Sequence, residues 1–264
     1  MSLKLTVLGC GSSGGVPRVG VGWGACDPAN PKNRRRRCSV LVEKTTGAGT
    51  TVILVDTSPD LRDQLLDAEV TKLDAVLYTH EHADHTHGID DLRPLVIKMR
   101  RRMPVYADRV TGELLLSRFG YCFQTPAGSS YPPILESRLL VPGRAVRIEG
   151  DGGALSAMPF QMVHGDIDAL GFRFGPIAYA PDVSHMPDEA FAHLQDLDVL
   201  VIDALRHTPH PTHFSVSEAL EVIERVRPRR AVLTNLHTDL DYEELRRRLP
   251  QNVEPAFDGM QIPG

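Results

Sequence analysis

A dense group of histidines at one point of the chain limits the folds that this sequence can adopt. Three histidines and an aspartate lie between His80 and His85, directly after the apolar run Ala75–Leu77. A short apolar run predicts a buried strand, so this cluster stands at the edge of a sheet. Side chains two residues apart on extended backbone share a face, so His80 and His82 can hold one cation. Asp84 and His85 then turn toward a second cation, and imidazole with carboxylate suits Zn, Mn or Fe.

Short β-rich runs recur along the chain, and helical segments lie between some of them. The predicted strands cover residues 3–8, 38–43, 51–56, 75–79, 104–107, 157–163, 170–174, 177–180, 199–203 and 231–234. The predicted helices cover residues 58–66, 187–194, 215–226 and 241–249. Strands and helices do not alternate strictly, which predicts an α/β fold of two mixed sheets packed face to face with helices outside. This is a four-layer αββα sandwich, and we expect residues 1–264 to form one domain.

Composition narrows the class of protein. The net charge of −5 argues against a dedicated nucleic-acid binder. The four cysteines form no C-x-x-C pair, so neither a disulfide framework nor a thiolate zinc site is indicated, and a reducing compartment is expected. The N-terminus lacks an apolar signal segment, and no run of about 18 apolar residues occurs. We therefore expect a cytoplasmic protein without a membrane partner.

Two long segments look irregular, residues 9–37 and 119–135. Loops of this length inside a compact domain are usually functional or disordered. The second segment looks like an insertion, for which a lid and a dimer contact are the two interpretations. In the first, Gly9, Gly11 and Gly14 formally fit a dinucleotide-binding fingerprint, but no helical period follows, which excludes that interpretation.

The His80–His85 motif, His-x-His-x-Asp-His after a strand and a threonine, resembles the signature of the metallo-β-lactamase superfamily. Further similar segments cover residues 9–17, 34–39, 54–56 and 257–260. Together they resemble the PhnP-like phosphodiesterases, which hydrolyse phosphoribosyl cyclic phosphate, and more distantly tRNase Z. The resemblance implies a metal-dependent phosphodiesterase that acts on a small phosphodiester, such as a cyclic ribose phosphate or nucleotide, through a metal-bridging hydroxide. It also suggests a homodimer.

The resemblance extends the ligand set for two divalent metal ions per chain, Zn or Mn. It implies that His164 is the third histidine of the first metal and that Asp182 bridges both. Relatives carry a late histidine directly after the strand at residues 231–234, where this chain has Asn235. We expect His237 to complete the second site, with Asn235 or an open position as the alternatives. The resemblance further implies catalytic roles for Asp84, which orients the hydroxide, and for a histidine outside the metal shell.

His213 matches that outer histidine, and a histidine near neutral pKa can protonate a leaving alkoxide. His207 and His210 are its competitors in the sequence. Arg35 and Arg37 share a side on extended chain and are candidates to bind a substrate phosphate, although most charge runs are solvated faces. Some PhnP-like proteins carry a structural zinc site, but this chain retains only Cys26 and has Thr238 at the late position, so we expect none.

Three other functions remain open from the sequence. An RNA-processing nuclease like tRNase Z would need a basic exosite, which the net charge does not favour. A thioester, lactone or β-lactam hydrolase of the same fold is a second alternative. A metal-binding accessory protein without catalysis is the third, against which the intact ligand set and His213 argue.

Overall fold

The computed structural model describes residues 2–264, whose strands form two sheets of seven strands each. The strands of the first sheet are β1 (Ser2–Gly9), β2 (Ser39–Thr46), β3 (Gly49–Val55), β4 (Ala75–Leu77), β5 (Met103–Ala107), β6 (Leu135–Leu139) and β14 (Gln261–Pro263). They lie in the order β14-β1-β2-β3-β4-β5-β6. Pairing is antiparallel from β14 to β3 and parallel from β3 to β6, so this sheet is mixed.

The second sheet is also a mixed sheet of seven strands. Its strands are β7 (Val146–Ile148), β8 (Leu155–His164), β9 (Ile167–Phe174), β10 (Ile177–Ala180), β11 (Val199–Asp203), β12 (Arg230–Thr234) and β13 (Val253–Pro255). They lie in the order β13-β12-β11-β10-β9-β8-β7. Pairing is antiparallel from β7 to β10 and parallel from β10 to β13.

Helices cover the outer faces of both sheets. They are α1 (Leu61–Asp67), α2 (Ala83–Thr86), α3 (Arg93–Met99), α4 (Arg109–Phe123), α5 (Asp188–Phe191), α6 (Val216–Val226) and α7 (Tyr242–Arg248), with 3₁₀ turns at Pro31–Asn33, Ile89–Leu92 and Ala192–Leu194. Apolar residues of α1, α3 and α4 pack on the first sheet, and those of α5, α6 and α7 pack on the second. Among residues 2–264, no helix has the length and apolarity needed to cross a lipid bilayer.

A third apolar layer lies between the two sheets and contains fully buried side chains such as Val55, Phe172 and Val201. Burial of apolar surface on both faces of each sheet is what stabilises a sandwich of this kind. The predicted four-layer αββα architecture of two mixed sheets is confirmed. The predicted capping box also forms, because Ser215 accepts from the Glu218 backbone and the Glu218 side chain accepts from the Ser215 backbone.

Each predicted strand and helix is found near its expected position, but several elements were not predicted. These are β6, β7, β13, β14, α2, α3 and α4. Helix α4 continues to Phe123, inside the segment expected to be irregular, and its backbone breaks helical geometry at Phe119. Gly112 and Gly120 disfavour helix formation, which explains why the sequence does not predict α4. Residues 124–134 are irregular, as expected.

Candidate metal centre

Polar side chains that follow six strands lie at one edge of the sandwich. They are Asp56 after β3, His80 after β4, His164 at the end of β8, Asp182 after β10, Asp203 at the end of β11 and Asn235 after β12. Strands β3 and β4 are parallel, and β8, β10, β11 and β12 share one direction. The carboxyl ends of these strands therefore converge from both sheets, as ligand sites of α/β folds commonly do.

The loop after β4 holds the predicted cluster in place through the end of β3. The backbone N–H and the hydroxyl of Thr79 each donate to the carboxylate of Asp56 at 2.8 Å. The short helix α2 then turns the chain, so that the His85 backbone N–H donates to the His82 carbonyl. His80 and His85 are completely buried, whereas His82 is exposed.

Three histidines form the first group of ligand atoms. Nitrogen atoms of His80, His82 and His164 lie within 4.8 Å of one another. The His164 Nε2 atom is 3.2 Å from His82 Nδ1. This is the set of side chains expected for the first metal, brought together from the end of β8 and the loop after β4.

His85 and two aspartates form the second group. His85 Nε2 is 3.2 Å from one oxygen of Asp182 and 3.5 Å from one oxygen of Asp84. Ligand atoms of His80, His85 and Asp182 also lie within 4.8 Å of one another, as do those of His164, Asp182 and His213. Asp182 therefore lies between the two groups, where a bridging ligand is expected.

The polar atoms of this cluster fit divalent cations. His80 Nε2, His85 Nε2 and one oxygen of Asp182 are buried and have no hydrogen-bond partner within residues 2–264. Buried polar atoms normally have partners, so unpartnered atoms that point to one space mark a ligand position. Imidazole nitrogen and carboxylate oxygen together are ligands for zinc and manganese.

Neighbouring groups fix the direction of two of the histidine rings. His85 Nδ1 lies 2.7 Å from Asp56, and His164 Nδ1 lies 2.6 Å from the Thr212 carbonyl. Each Nδ1–H is thereby donated away from the cluster, which leaves Nε2 free to bind a cation. Ligating histidines in proteins are commonly held in this way.

Without a cation, His85 carries the positive charge at the centre. Burial alone would lower the pKa of His85, but the carboxylates of Asp182, Asp84 and Asp56 raise it well above its usual value. Burial likewise opposes ionisation of Asp182, yet the positive charge of His85 holds the pKa of Asp182 well below its usual value. A divalent cation can replace this proton among the same carboxylates, so metal binding is expected to release it.

His213 stands beside the cluster and is held by a buried carboxylate. Its Nδ1 atom is 2.8 Å from Asp203, and its ring centroid is 4.6 Å from that of His164. Burial would lower the pKa of His213, but the hydrogen bond and negative charge of Asp203 raise it to about 8. His213 therefore holds a proton at neutral pH, which its other ring nitrogen can donate.

The two competing histidines lie farther out. The ring of His210 is 5.3 Å from that of His213, and its Nδ1 accepts a bond from the Thr212 backbone. His207 is exposed, and its backbone N–H donates to Asp239. Of the three, His213 alone shares a group of ligand atoms with His164 and Asp182 within residues 2–264.

The structure does not bring His237 into any of the three ligand groups formed by residues 2–264. Its Nε2 atom lies 2.9 Å from Arg18 and its Nδ1 atom 3.1 Å from Asp239, so both ring nitrogens are engaged elsewhere. Asn235 occupies the position near the second group instead, with its amide nitrogen 3.2 Å from Asp182 and 3.1 Å from His213 Nδ1. The physical reason is the left-handed backbone at Asn235, with φ of 62°, which turns the chain after β12.

The two candidate arginines are engaged with the protein itself. Arg35 is 2% exposed, and its guanidinium donates to the Leu240 carbonyl at 2.7 Å and the His237 carbonyl at 3.3 Å. Arg37 forms an ion pair of 2.8 Å with Asp60. Neither guanidinium is presented to the metal cluster as the substrate role would require.

Sequence reasoning did not single out the two carboxylates that hold the functional histidines, Asp56 and Asp203. Both are completely buried at the end of a strand. The signal that was available is a charged residue directly after a run of apolar residues, in Leu54-Val55-Asp56 and in Val201-Ile202-Asp203. A carboxylate is almost never buried without a partner, so such a residue predicts one nearby.

Comparisons with known proteins agree with this geometry. The family model of the β-lactamase superfamily domain matches residues 51–235, the range that carries every residue of the three ligand groups. The crystal structure of a diphosphatase from the PhnP family superposes with a TM-score of 0.89 at 36% identity, covering 100% of this chain and 98% of that chain. The chain belongs to the metallo-β-lactamase superfamily and, within it, to the PhnP-like branch.

Two further relatives have the names of other enzymes. An octanoyltransferase from Porphyromonas gingivalis is 33% identical over 264 residues, which is 98% of this chain. The chain spans about half of that relative, 51% of its length. A ribonuclease Z from a Bradyrhizobium species is 31% identical over 170 residues, covering 62% of this chain and 51% of the relative. The fold and the His and Asp clusters thus define a hydrolase of this superfamily with candidate ligands for divalent metals, without defining its substrate.

Proposed function

We propose that this protein is a dinuclear metal-dependent phosphodiesterase that hydrolyses a small phosphodiester, such as a cyclic ribose phosphate or nucleotide. The observation that carries the proposal is the pairing of two features at one edge of the sandwich. One is the set of unpartnered buried ligand atoms of His80, His85 and Asp182. The other is His213, a histidine with a raised pKa that lies beside this set and is close to His164 and Asp182. The likeness to a PhnP-family diphosphatase supports phosphate as the reacting group.

Two divalent cations, zinc or manganese, are the proposed cofactors. His80, His82 and His164 would hold one, Asp84 and His85 the other, and Asp182 both. Bound there, the cations would supply a Lewis acid for phosphoryl oxygens and would lower the pKa of water. The protein contributes fixed ligands and a second layer of hydrogen bonds, which keep these groups in place during reaction.

The protein's own residues would complete the hydrolysis. Asp84, with its carboxylate 3.5 Å from His85, would orient the attacking water, which would first lose one proton to solvent and react as hydroxide. As the new bond from water oxygen to phosphorus forms, the bond from phosphorus to the leaving oxygen breaks. His213 would donate its proton to that leaving oxygen, and Asp203 would stabilise the protonated ring beforehand.

The test is hydrolysis of bis-p-nitrophenyl phosphate with and without added Mn or Zn. We expect metal-dependent turnover by the unmodified protein. His213→Ala should lower kcat by about 10²- to 10⁴-fold while metal content stays unchanged, because only a proton donor is removed. His193→Ala, which changes a histidine outside the cluster, is the matched control. Unchanged turnover in His213→Ala would exclude His213 as the proton donor.

Ribonuclease activity is the second candidate, because the Bradyrhizobium ribonuclease Z is similar over much of the chain. It would require a basic surface for RNA, which the net charge of −5 does not favour. Hydrolysis of a thioester or a lactone is a further alternative for an enzyme of this fold. A panel containing a cyclic nucleotide, a precursor RNA and a thioester separates these activities by relative kcat/KM.

A further inference from the structure

The two groups of ligand atoms in the metal centre differ in the kind of atom that they offer. The first group consists of imidazole nitrogens, and these belong to His80, His82 and His164. The second group has one imidazole of its own, that of His85, whose Nε2 atom lies 3.5 Å from a carboxylate oxygen of Asp84. Asp182 lies between the groups, so the difference is three imidazoles on one side against one imidazole and one carboxylate on the other.

His80 lies close to both groups and can join only one of them. Its Nδ1 atom is 3.0 Å from the Thr79 hydroxyl, so Nε2, which is buried without a partner in the described chain, is the nitrogen left for a cation. His80 has a ligand atom within 4.8 Å of those of His82 and His164 and also of those of the second group. The proposed function assigns this nitrogen to the first cation.

Asn235 stands beside the second group and does not add a nitrogen ligand to it. Its amide nitrogen lies 3.2 Å from a carboxylate oxygen of Asp182 and 3.2 Å from the Pro181 carbonyl. Both oxygens accept, so the amide N–H groups are donated to them, and an amide nitrogen is a donor only. The side chain is buried, and it holds Asp182 with its other carboxylate oxygen 3.2 Å from His85 Nε2.

The other histidines near the centre leave the second group equally poor in nitrogen. His213 lies with His164 and Asp182 in the third group of ligand atoms. Both ring nitrogens of His237 are engaged outside the centre. Within residues 2–264, the atoms that approach His85 Nε2 at ion-pair distance are therefore carboxylate oxygens.

The second group also leaves room for water. The Asp84 side chain is 17% exposed, whereas His85 and Asp182 beside it are almost completely buried. A cation with few protein ligands completes its shell with water, and carboxylate and water together suit manganese and magnesium. A set of three imidazoles with one carboxylate suits four-coordinate zinc.

We propose that the metal centre binds two different cations, zinc in the first group of ligand atoms and an oxygen-preferring cation, manganese or magnesium, in the second. This inference rests on the proposed function and narrows its cofactors from two cations of either kind to a mixed pair. Zinc binds more tightly than manganese to most sets of nitrogen and oxygen ligands, so the difference appears on exchange. Manganese in excess should displace zinc from the second group and leave it in the first.

The experiment loads metal-free protein with zinc to about two ions per chain and then dialyses it against an excess of manganese. Elemental analysis after removal of unbound metal should give about one zinc and one manganese per chain. Because zinc has a closed d shell, electron paramagnetic resonance should show the spectrum of an isolated manganese ion and not that of two coupled manganese ions. Neither measurement requires turnover.

Asn235→His is the decisive variant, because it offers an imidazole to the second group in place of an amide. Under the same excess of manganese it should keep zinc in both groups and lose the manganese signal. Asp84→His replaces a carboxylate by an imidazole from the loop after β4 and should act in the same direction, so the test does not depend on the turn after β12. His193→Ala, outside the cluster, is the matched control and should keep the mixed content.

The metal content separates this inference from the proposed function. One zinc and one manganese in a protein that hydrolyses no phosphodiester would keep the two unlike positions and reject the phosphodiesterase. Retention of two zinc ions, or replacement of both by manganese, in a protein that turns over the aryl phosphodiester would overturn the unlike positions alone. A mixed content that stays unchanged in both Asn235→His and Asp84→His would also overturn the inference, because the ligand atoms would then not set the preference. Absence of bound metal would overturn both.

Discussion

The loop after β4 and the loop after β1 both concentrate charged residues, but they use them in opposite ways. In the first, His80 and His85 are buried with ring nitrogens that no residue of the described chain satisfies. In the second, the terminal nitrogens of Arg35 donate to backbone carbonyls and a side-chain amide, and Arg37 pairs with Asp60. The comparison teaches that arginines whose terminal nitrogens bond to the protein's own groups hold loops together, whereas imidazole and carboxylate atoms that are buried without a partner mark a site for a cation.

Arg35 connects two loops that are far apart in sequence. Its guanidinium bonds to Asn33 in its own loop and to the carbonyls of His237 and Leu240 after β12. The same pair of loops is joined by a bond from the Ala25 backbone to the Thr238 carbonyl. Arg35 therefore supports the segment that carries Arg18 and His237, and its contribution is to stability.

The largest effect should follow removal of a metal ligand. His85→Ala deletes the imidazole between Asp84 and Asp182 and leaves two carboxylates without their positive partner. We expect loss of bound metal and a fall in kcat/KM of at least about 100-fold, measured by elemental analysis and by turnover of the aryl phosphodiester. Full metal content in this variant would mean that the cluster is not the metal centre.

The next largest effect should follow substitution of Arg35, which should lower the stability of the protein without changing its turnover. Arg35→Met keeps an unbranched apolar stem but removes the bonds to Leu240 and His237, and should cost about 3 kcal/mol of folding free energy. For a chain of this length that corresponds to a fall in Tm of roughly 6–12 °C in a thermal melt. Arg34→Ala, at an exposed neighbour, should leave Tm unchanged. An unchanged Tm with a raised KM in Arg35→Met would restore the substrate role predicted from the sequence.

The pH dependence of activity should report the pair of His213 and Asp203. The protonated ring is the active acid, so kcat/KM should fall as pH rises through about 8, where His213 loses its proton. Asp203→Asn removes the charge that raises this pKa, so the fall should begin at lower pH. A pH–rate profile with the same high-pH limb in both proteins would assign that limb to another group.

The smallest effect is expected at Asn235, beside the second group of ligands. Asn235→His adds an imidazole next to Asp182, and the left-handed backbone there is one that histidine tolerates better than most residues. We expect affinity for the second cation to rise by about tenfold, measured by competition with a chelator. Equal or weaker retention would show that the imidazole does not reach the cation from this turn.

The architecture could be predicted because the spacing of apolar residues, which indicates strands and helices and their buried faces, can be read from short stretches of the sequence. The strands that carry Asp56, His164 and Asp182 are apolar runs ended by a polar residue, and each was recognisable in isolation. Helix α4 was not, because its two glycines lower its helix propensity, and the packing of Leu115 and Cys122 in the core supports a conformation that the local sequence does not indicate. The roles of His237 and Arg35 could not be predicted from the sequence. The direction of the His237 side chain depends on the backbone angle at Asn235, and Arg35 bonds to partners about 200 residues away in the chain.

The central claim is that the converging ligands hold two cations that support phosphodiester hydrolysis. The most direct test starts from metal-free protein and follows turnover of bis-p-nitrophenyl phosphate as Mn or Zn is added. We predict no activity without metal and a rise that levels off at about two ions per chain. Turnover by the metal-free protein, or saturation of the cluster with metal and no hydrolysis of any phosphodiester tested, would contradict the claim.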